Sequence, residues 1–135
     1  MSEALIGIHG YAIGFTIMGA WALVAIWALV LRGLRRDETP WFWRVVSAAQ
    51  ILLVAQFAVG LALIALGRPS GGPGDGSTFD FVFHLLYGAG FPLAVLLFAH
   101  KWARDARFNP HSIFAVAGLV IFALALRGWQ LGALG

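Results

Sequence analysis

Four long apolar stretches dominate the chain and are separated by short polar connections. They cover residues 4–31, 41–66, 81–102 and 112–131. Each stretch has about the 20 residues that an α-helix needs to cross the hydrocarbon core of a bilayer. The chain is therefore predicted to be all-α, with one integral membrane domain, a bundle of four transmembrane helices, over residues 1–135.

The connections contain signals that begin and bend helices. Thr39 precedes Pro40, which predicts that Thr39 caps the second helix, and Asn109-Pro110 predicts the start of the fourth helix. The glycine-rich segment 68–77 predicts an external turn. Pro92 falls near the middle of the third span, where it removes a backbone hydrogen bond and predicts a bend.

Composition agrees with a membrane location. Hydrophobic residues make up 61% of the chain and charged residues 11%, which is more apolar surface than a small soluble domain buries. Membrane lipid is therefore an expected partner. The absence of cysteine excludes disulfides and thiolate metal sites, so any metal chemistry must rest on histidine.

Basic residues at the span ends predict the orientation. The first connection is flanked by Arg32, Arg35, Arg36 and Arg44, the third by Lys101, Arg104 and Arg107, whereas the second has Arg68. Since cytoplasmic loops carry an excess of Lys and Arg, the first and third connections are predicted to face the cytoplasm. Both termini then lie on the outer side of the cell inner membrane. The basic residues form no single patch, which argues against nucleic acid.

Polar groups within the spans are candidates for function, because the bilayer interior disfavours them. The set is His9, Gln50, Gln56, His84, His100 and Arg127, with His111 at an edge.

Two of these histidines are predicted to lie at one depth. At about 1.5 Å per residue, His9 lies roughly 13 Å and His84 roughly 12 Å above the midplane, on different helices. Two neutral imidazoles on different helices of a bundle can bind the iron of a planar macrocycle from opposite sides. The pair therefore predicts a bis-histidine haem site in the outer half of the bundle.

Neighbouring residues at this level agree with a cofactor site. Arg127, roughly 8 Å above the midplane, needs an anion, which a haem propionate would supply. Gly10 and Gly14 follow His9, and Gly88 lies one turn after His84, which leaves open surface beside each ligand. Tyr87 is placed to form a hydrogen bond near the same site.

A second, inner site at His100 and His111 is an alternative, with two haems in place of one. His84 and His100 are sixteen positions apart, which is about 160° around a regular helix. They are therefore expected to face opposite ways unless the bend at Pro92 corrects them.

Each candidate also has a plain structural interpretation. His9 would then lie at the headgroup interface, Arg127 would extend to the outer surface, and the glycines would serve helix packing. Gln50 and Gln56 would form hydrogen bonds between helices, or one of them would bind a quinone carbonyl.

The sequences Ile8-His9-Gly10-Tyr11 and Phe83-His84-Leu85-Leu86-Tyr87-Gly88, on four apolar spans, resemble the small transmembrane b-type cytochromes. In those proteins, histidines on facing helices bind haem. The chain departs from the two-haem members in the spacing of His84 and His100. The resemblance implies electron transfer within the membrane, without substrate chemistry of the protein's own.

The expected function is therefore a haem b-binding subunit that carries electrons between membrane quinol, or a neighbouring cofactor, and a redox partner. We expect an electron-transfer protein or a complex subunit rather than an enzyme by itself. The alternative is a non-catalytic accessory subunit of a larger respiratory or photosynthetic membrane complex. Other membrane subunits or copies of this chain are expected partners in either case.

Overall fold

The computed structural model describes residues 2–67 and 78–134, with side chains for residues 4–67 and 78–132. Four helices occupy this part of the chain: α1 (residues 2–33), α2 (Pro40–Ala65), α3 (Thr78–Ala103) and α4 (Pro110–Leu134). Each is long and apolar enough to cross a membrane. This confirms the all-α prediction of four such helices for the described residues. The turn predicted at 68–77 lies outside them.

The helices extend beyond most of the predicted span ends because hydropathy marks only the apolar part, whereas a helix continues to its cap. Thr39 Oγ1 accepts a hydrogen bond from the Phe42 N–H at 3.2 Å. Asn109 Oδ1 accepts one from the Ser112 N–H, also at 3.2 Å. The predicted N-cap at Thr39 and the predicted start of the fourth helix at Asn109-Pro110 are therefore confirmed, and each cap satisfies one of the free N–H groups of a first helical turn.

The bundle is built around close contact between α1 and α4. A Cβ at Gly118 of α4 would lie 2.9 Å from the Trp21 carbonyl oxygen and 3.0 Å from the Ala25 Cβ, so only glycine allows this approach. α2 packs on α1, and α3 packs on α4. Within the described residues the backbones of α1 and α3 make no direct contact, so these two helices stand diagonally across the bundle.

The close-packed core lies in the half of the bundle that adjoins the basic connections. Trp21, Phe42 and Phe114 are fully buried there. Phe114 packs edge-on against Phe42, with ring centroids 6.2 Å apart, and against Trp43 at 5.2 Å. The other half of the bundle is more open, and its open space is the cavity described below.

The two ends of the bundle differ in chemistry. Tyr11 near the start of the chain contacts Trp129 near its end, with ring centroids 6.5 Å apart, so both termini lie at one end of the bundle. At the opposite end, Arg32 Nε donates to Ser112 Oγ at 3.2 Å. In the third connection the Arg107 guanidinium pairs with Asp105 and holds the pKa of that carboxyl below its usual value.

The outer surface of the helices is apolar. Large side chains on every helix are more than half exposed, among them Ile26, Ile51, Leu97 and Val116. Exposing an apolar surface on all four helices to water is energetically unfavourable. The surface is suited to contact with membrane lipid.

Candidate functional site

His9 of α1 and His84 of α3 face each other across the bundle. Their ring centroids are 6.0 Å apart and their planes are inclined at 53°. Since the backbones of α1 and α3 do not touch, the two imidazoles span the space between diagonal helices. The structure thus brings together the pair that the sequence placed at matched depth.

The histidines line a cavity of about 310 Å³ that is bounded by all four helices. Among the predicted site residues, five line it: His9, Gly10, Gly14, His84 and Gly88. Most of the remaining wall is aliphatic or aromatic, with polar side chains from Tyr11, Gln56 and Trp129. The cavity is therefore mainly apolar with a few polar groups, as is usual for cofactor sites.

Glycines make the room that the imidazoles occupy. A Cβ at Gly132 of α4 would lie 2.7 Å from His84 Cε1, and a Cβ at Gly60 of α2 would lie 3.1 Å from His9 Cε1. Gly128 lets α4 approach α3, since its Cβ would meet the Gly88 nitrogen at 3.0 Å. Each imidazole thus packs against the backbone of a neighbouring helix at a glycine, where no side chain intervenes.

Each histidine lies in or next to a π-helical turn. In α1 the π-helical segment is Ile8–Ile13, which contains His9; in α3 it is Leu86–Gly90, which begins two residues after His84. The second segment ends two residues before Pro92, and the Phe91 N–H donates to the Leu86 carbonyl five residues earlier. Proline disrupts the regular pattern of hydrogen bonds here, and the wider turn accommodates it. Single π-helical turns inside α-helices are frequent at functional sites.

The orientation of the His84 imidazole is fixed by the backbone of α4. His84 Nδ1 lies 2.8 Å from the Gly128 carbonyl oxygen. A carbonyl oxygen can only accept, so Nδ1 carries the hydrogen and Nε2 keeps its lone pair. The bond to Gly128 uses Nδ1 alone, so Nε2 is the nitrogen that remains for a metal. This is the tautomer that binds a metal through Nε2, with the other nitrogen held by an outer partner.

His9 is held differently, through its backbone. Gln56 Nε2 of α2 donates to the His9 carbonyl oxygen at 2.9 Å. The His9 Nδ1 and the Gln56 Oε1 are both buried without a partner in the described part of the chain. Gln56 therefore has the interhelical hydrogen bond that the sequence predicted, together with one unused acceptor.

Two predicted site residues lie outside the cavity wall. Arg127 is exposed and donates to Gln130 Oε1 at 3.4 Å, because one residue along a helix turns the side chain by about 100° away from Gly128. Tyr87 packs between Phe83 and Phe91 on α3, with ring centroids 6.0 and 5.4 Å away. Contact between Arg127 and a propionate, and a hydrogen bond from Tyr87, stay predictions.

The inner histidines are engaged with the core. The Gln50 amide of α2 donates to His100 Nε2 across 2.6 Å, and the His100 ring packs on Phe114 with centroids 5.4 Å apart. His111 is 3% exposed and packs edge-on against Phe42 at 5.9 Å. The second site at His100 and His111 also stays a prediction, and ligation by His100 Nε2 would require release of Gln50.

The π-helical turn changes the angular relation of His84 and His100. It inserts about one extra residue between them, so that their offset is about 60° and not the 160° of a regular helix. Both side chains accordingly reach neighbouring helices, His84 towards α4 and His100 towards α2. The count along the sequence gave about 160° for a regular helix and left open a correction at Pro92, and the π-helical turn before Pro92 supplies such a correction.

Several cavity residues were not identified from the sequence as parts of a site: Gly60, Gly128, Trp129 and Gly132. A signal for them does exist, since Gln56 and Gly60 are four residues apart, as are Gly128 and Gly132, which places each pair on one helix face. That spacing is also typical of plain helix packing. Only the position of the histidines distinguishes the two roles.

Comparison with protein-family models, curated proteins and solved structures gives no match to this chain. Within the described residues, no group of three or more histidine or acidic side chains converges in a way that would hold a metal ion. The functional interpretation therefore rests on the paired imidazoles and the cavity between the helices.

Proposed function

We propose that this chain is a haem b-binding membrane subunit that carries electrons between membrane quinol, or a neighbouring subunit's cofactor, and a redox partner. The observation that carries the proposal is the 6.0 Å separation of the His9 and His84 ring centroids. A metal–imidazole bond is about 2 Å long, so two imidazoles on opposite sides of one metal ion have centroids about 6 Å apart. The observed separation agrees with that value.

The other residues of the cavity fit a flat, apolar cofactor. Six glycines line it (Gly10, Gly14, Gly60, Gly88, Gly128 and Gly132). Its volume of about 310 Å³ lies within the range of about 300–1,000 Å³ for small-molecule and cofactor sites. His84 already has the tautomer that a ligand needs, through its bond to Gly128. Haem held by two histidines would supply one-electron redox chemistry.

Electron transfer is favoured over catalysis by the donor set. His9 and His84 would both bind the haem, and a haem held by two histidines would supply electron transfer and not the binding of oxygen or a substrate. The described residues that line the cavity include no carboxylate and no lysine, and apart from the two proposed ligands only the Tyr11 hydroxyl offers a side-chain proton for acid–base chemistry. The residues bind and orient a cofactor and keep water away from it.

The test is purification of the wild-type protein from cells supplied with haem precursor, followed by reduction. We expect the sharp absorption bands of six-coordinate haem b, and about one haem per polypeptide by pyridine haemochrome assay. A value near two would show that His100 and His111 also hold haem. A colourless protein that does not take up added haem would refute the proposal.

We further propose that the cavity end of the bundle faces the outer side of the cytoplasmic membrane. The basic residues at the opposite end support this orientation. The chain has no cysteine, so single cysteines report sidedness directly. In intact spheroplasts an impermeant maleimide is expected to label Ala4→Cys, whereas Asp37→Cys should react only after permeabilisation. The reverse pattern would overturn the orientation.

A further inference from the structure

Gln56 of α2 contacts His9 through one of the two polar atoms of its side-chain amide. The other polar atom has no hydrogen-bond partner among the described residues. Its Nε2 donates to the His9 carbonyl oxygen at 2.9 Å, within the π-helical segment of α1. Its Oε1 is buried and has no partner in the described part of the chain, and the same holds for His9 Nδ1. Buried polar atoms without partners are uncommon and destabilising, so a pair of them in two contacting residues needs an explanation.

We propose that Gln56 is the positioning residue of His9, with its Oε1 accepting the hydrogen of His9 Nδ1 when the imidazole binds a metal. This inference rests on the proposed haem site. A ligating histidine is neutral, and one that binds through Nε2 carries its hydrogen on Nδ1, which then requires an acceptor. The two polar atoms of an amide share one carbon. While Gln56 Nε2 is bonded to the His9 carbonyl, Gln56 Oε1 therefore stays near the His9 imidazole.

The space around His9 is consistent with a small rotation of its ring. Gly60 lies one turn beyond Gln56 on the same face of α2, and its missing side chain makes the room that the imidazole occupies. The cavity that His9 lines gives the ring space to turn. Gln56 and Gly60 thus form the binding surface for His9 on α2. Gln56 supplies hydrogen bonds, and Gly60 supplies space. His84 has the corresponding arrangement on α4, with the Gly128 carbonyl as acceptor and Gly132 as space.

The two ligands differ in one respect that matters for experiment. The acceptor for His84 is a backbone carbonyl, which substitution of a side chain does not remove. The acceptor for His9 is a side chain, so the proposal makes Gln56 the residue through which the basicity of one ligand is set. Replacement of such an outer partner commonly weakens metal affinity by about 10–100-fold.

The test compares three variants by titration of apoprotein with haem and by redox titration of the bound haem. Gln56→Leu removes both hydrogen bonds, whereas Gln56→Glu retains only the acceptor. The matched control is Gln50→Leu, the same change on the same helix, next to His100 instead of His9. We expect Gln56→Leu to bind haem about 10–100-fold more weakly than wild type and Gln50→Leu to bind as wild type does.

Gln56→Glu separates positioning from a merely structural role. A carboxylate still accepts the Nδ1 hydrogen and makes the imidazole a stronger donor, so affinity should return towards the wild-type value and the midpoint potential should fall. If Gln56 acts only by holding the backbone, Gln56→Glu should be as weak as Gln56→Leu, which would overturn the inference. Equal affinity of Gln56→Leu and Gln50→Leu would also overturn it. Failure of wild-type protein to bind haem would instead refute the proposed function itself.

Discussion

Alanine in place of His9 or His84 is expected to abolish the six-coordinate haem spectrum. Each substitution removes one of the two imidazoles whose rings stand 6.0 Å apart, and the cavity wall contains no third histidine among the described residues. With one imidazole left, the chain would hold haem weakly and would not give the sharp bands of a two-histidine site. The measurement is the reduced-minus-oxidised spectrum of purified protein, with the haem content per polypeptide.

His100→Ala is the matched control for these two variants. His100 lies on the same helix as His84 but bonds Gln50 in the inner half of the bundle. The His100→Ala substitution should therefore leave the spectrum and the haem content as they are in the wild type. A normal spectrum in either His9→Ala or His84→Ala would contradict the assignment of the ligands, and a loss in His100→Ala alone would move the site to the inner end.

Alanine at Gly132 is expected to weaken haem binding at least about tenfold, the lower end of the effect of changing an outer partner of a ligand. Its Cβ would lie 2.7 Å from His84 Cε1 and 2.9 Å from Nδ1, closer than such atoms approach. The imidazole must therefore move, and in moving it loses its bond to the Gly128 carbonyl. The measurement is equilibrium titration of apoprotein with haem, with helix content checked by circular dichroism.

A graded series of glycine variants tests the same geometry. Gly60→Ala places a Cβ 3.1 Å from His9 Cε1, whereas Gly7→Ala on α1 meets nothing within 4 Å. Loss of affinity should therefore be largest for Gly132→Ala, smaller for Gly60→Ala and absent for Gly7→Ala. Equal affinity in all three would show that the glycines serve only packing.

The local properties of this chain follow from the sequence because they depend on neighbours along it. Span lengths reflect the thickness of the apolar slab, and the caps at Thr39 and Asn109 involve atoms within three residues. The matched depth of His9 and His84 required only counting along each span. Counting gives a height along the bundle, and that height identified the pair.

Rotation about each helix axis was decided by the tertiary structure. Which side chains face inward depends on how four helices pack together, and one residue changes the direction by about 100°. This is why Gly128 faces His84 whereas Arg127 lies outside the cavity. The π-helical turn before Pro92 adds a similar shift within α3.

The sequence by itself determined four apolar helices and two histidines at one height. The tertiary structure determined that these histidines face each other, that Gly128 and Gln56 hold them, and that Gly60 and Gly132 leave them space. The physical reason is that hydrophobicity and capping are local, whereas a contact between diagonal helices depends on the distances and rotations of the whole bundle at once.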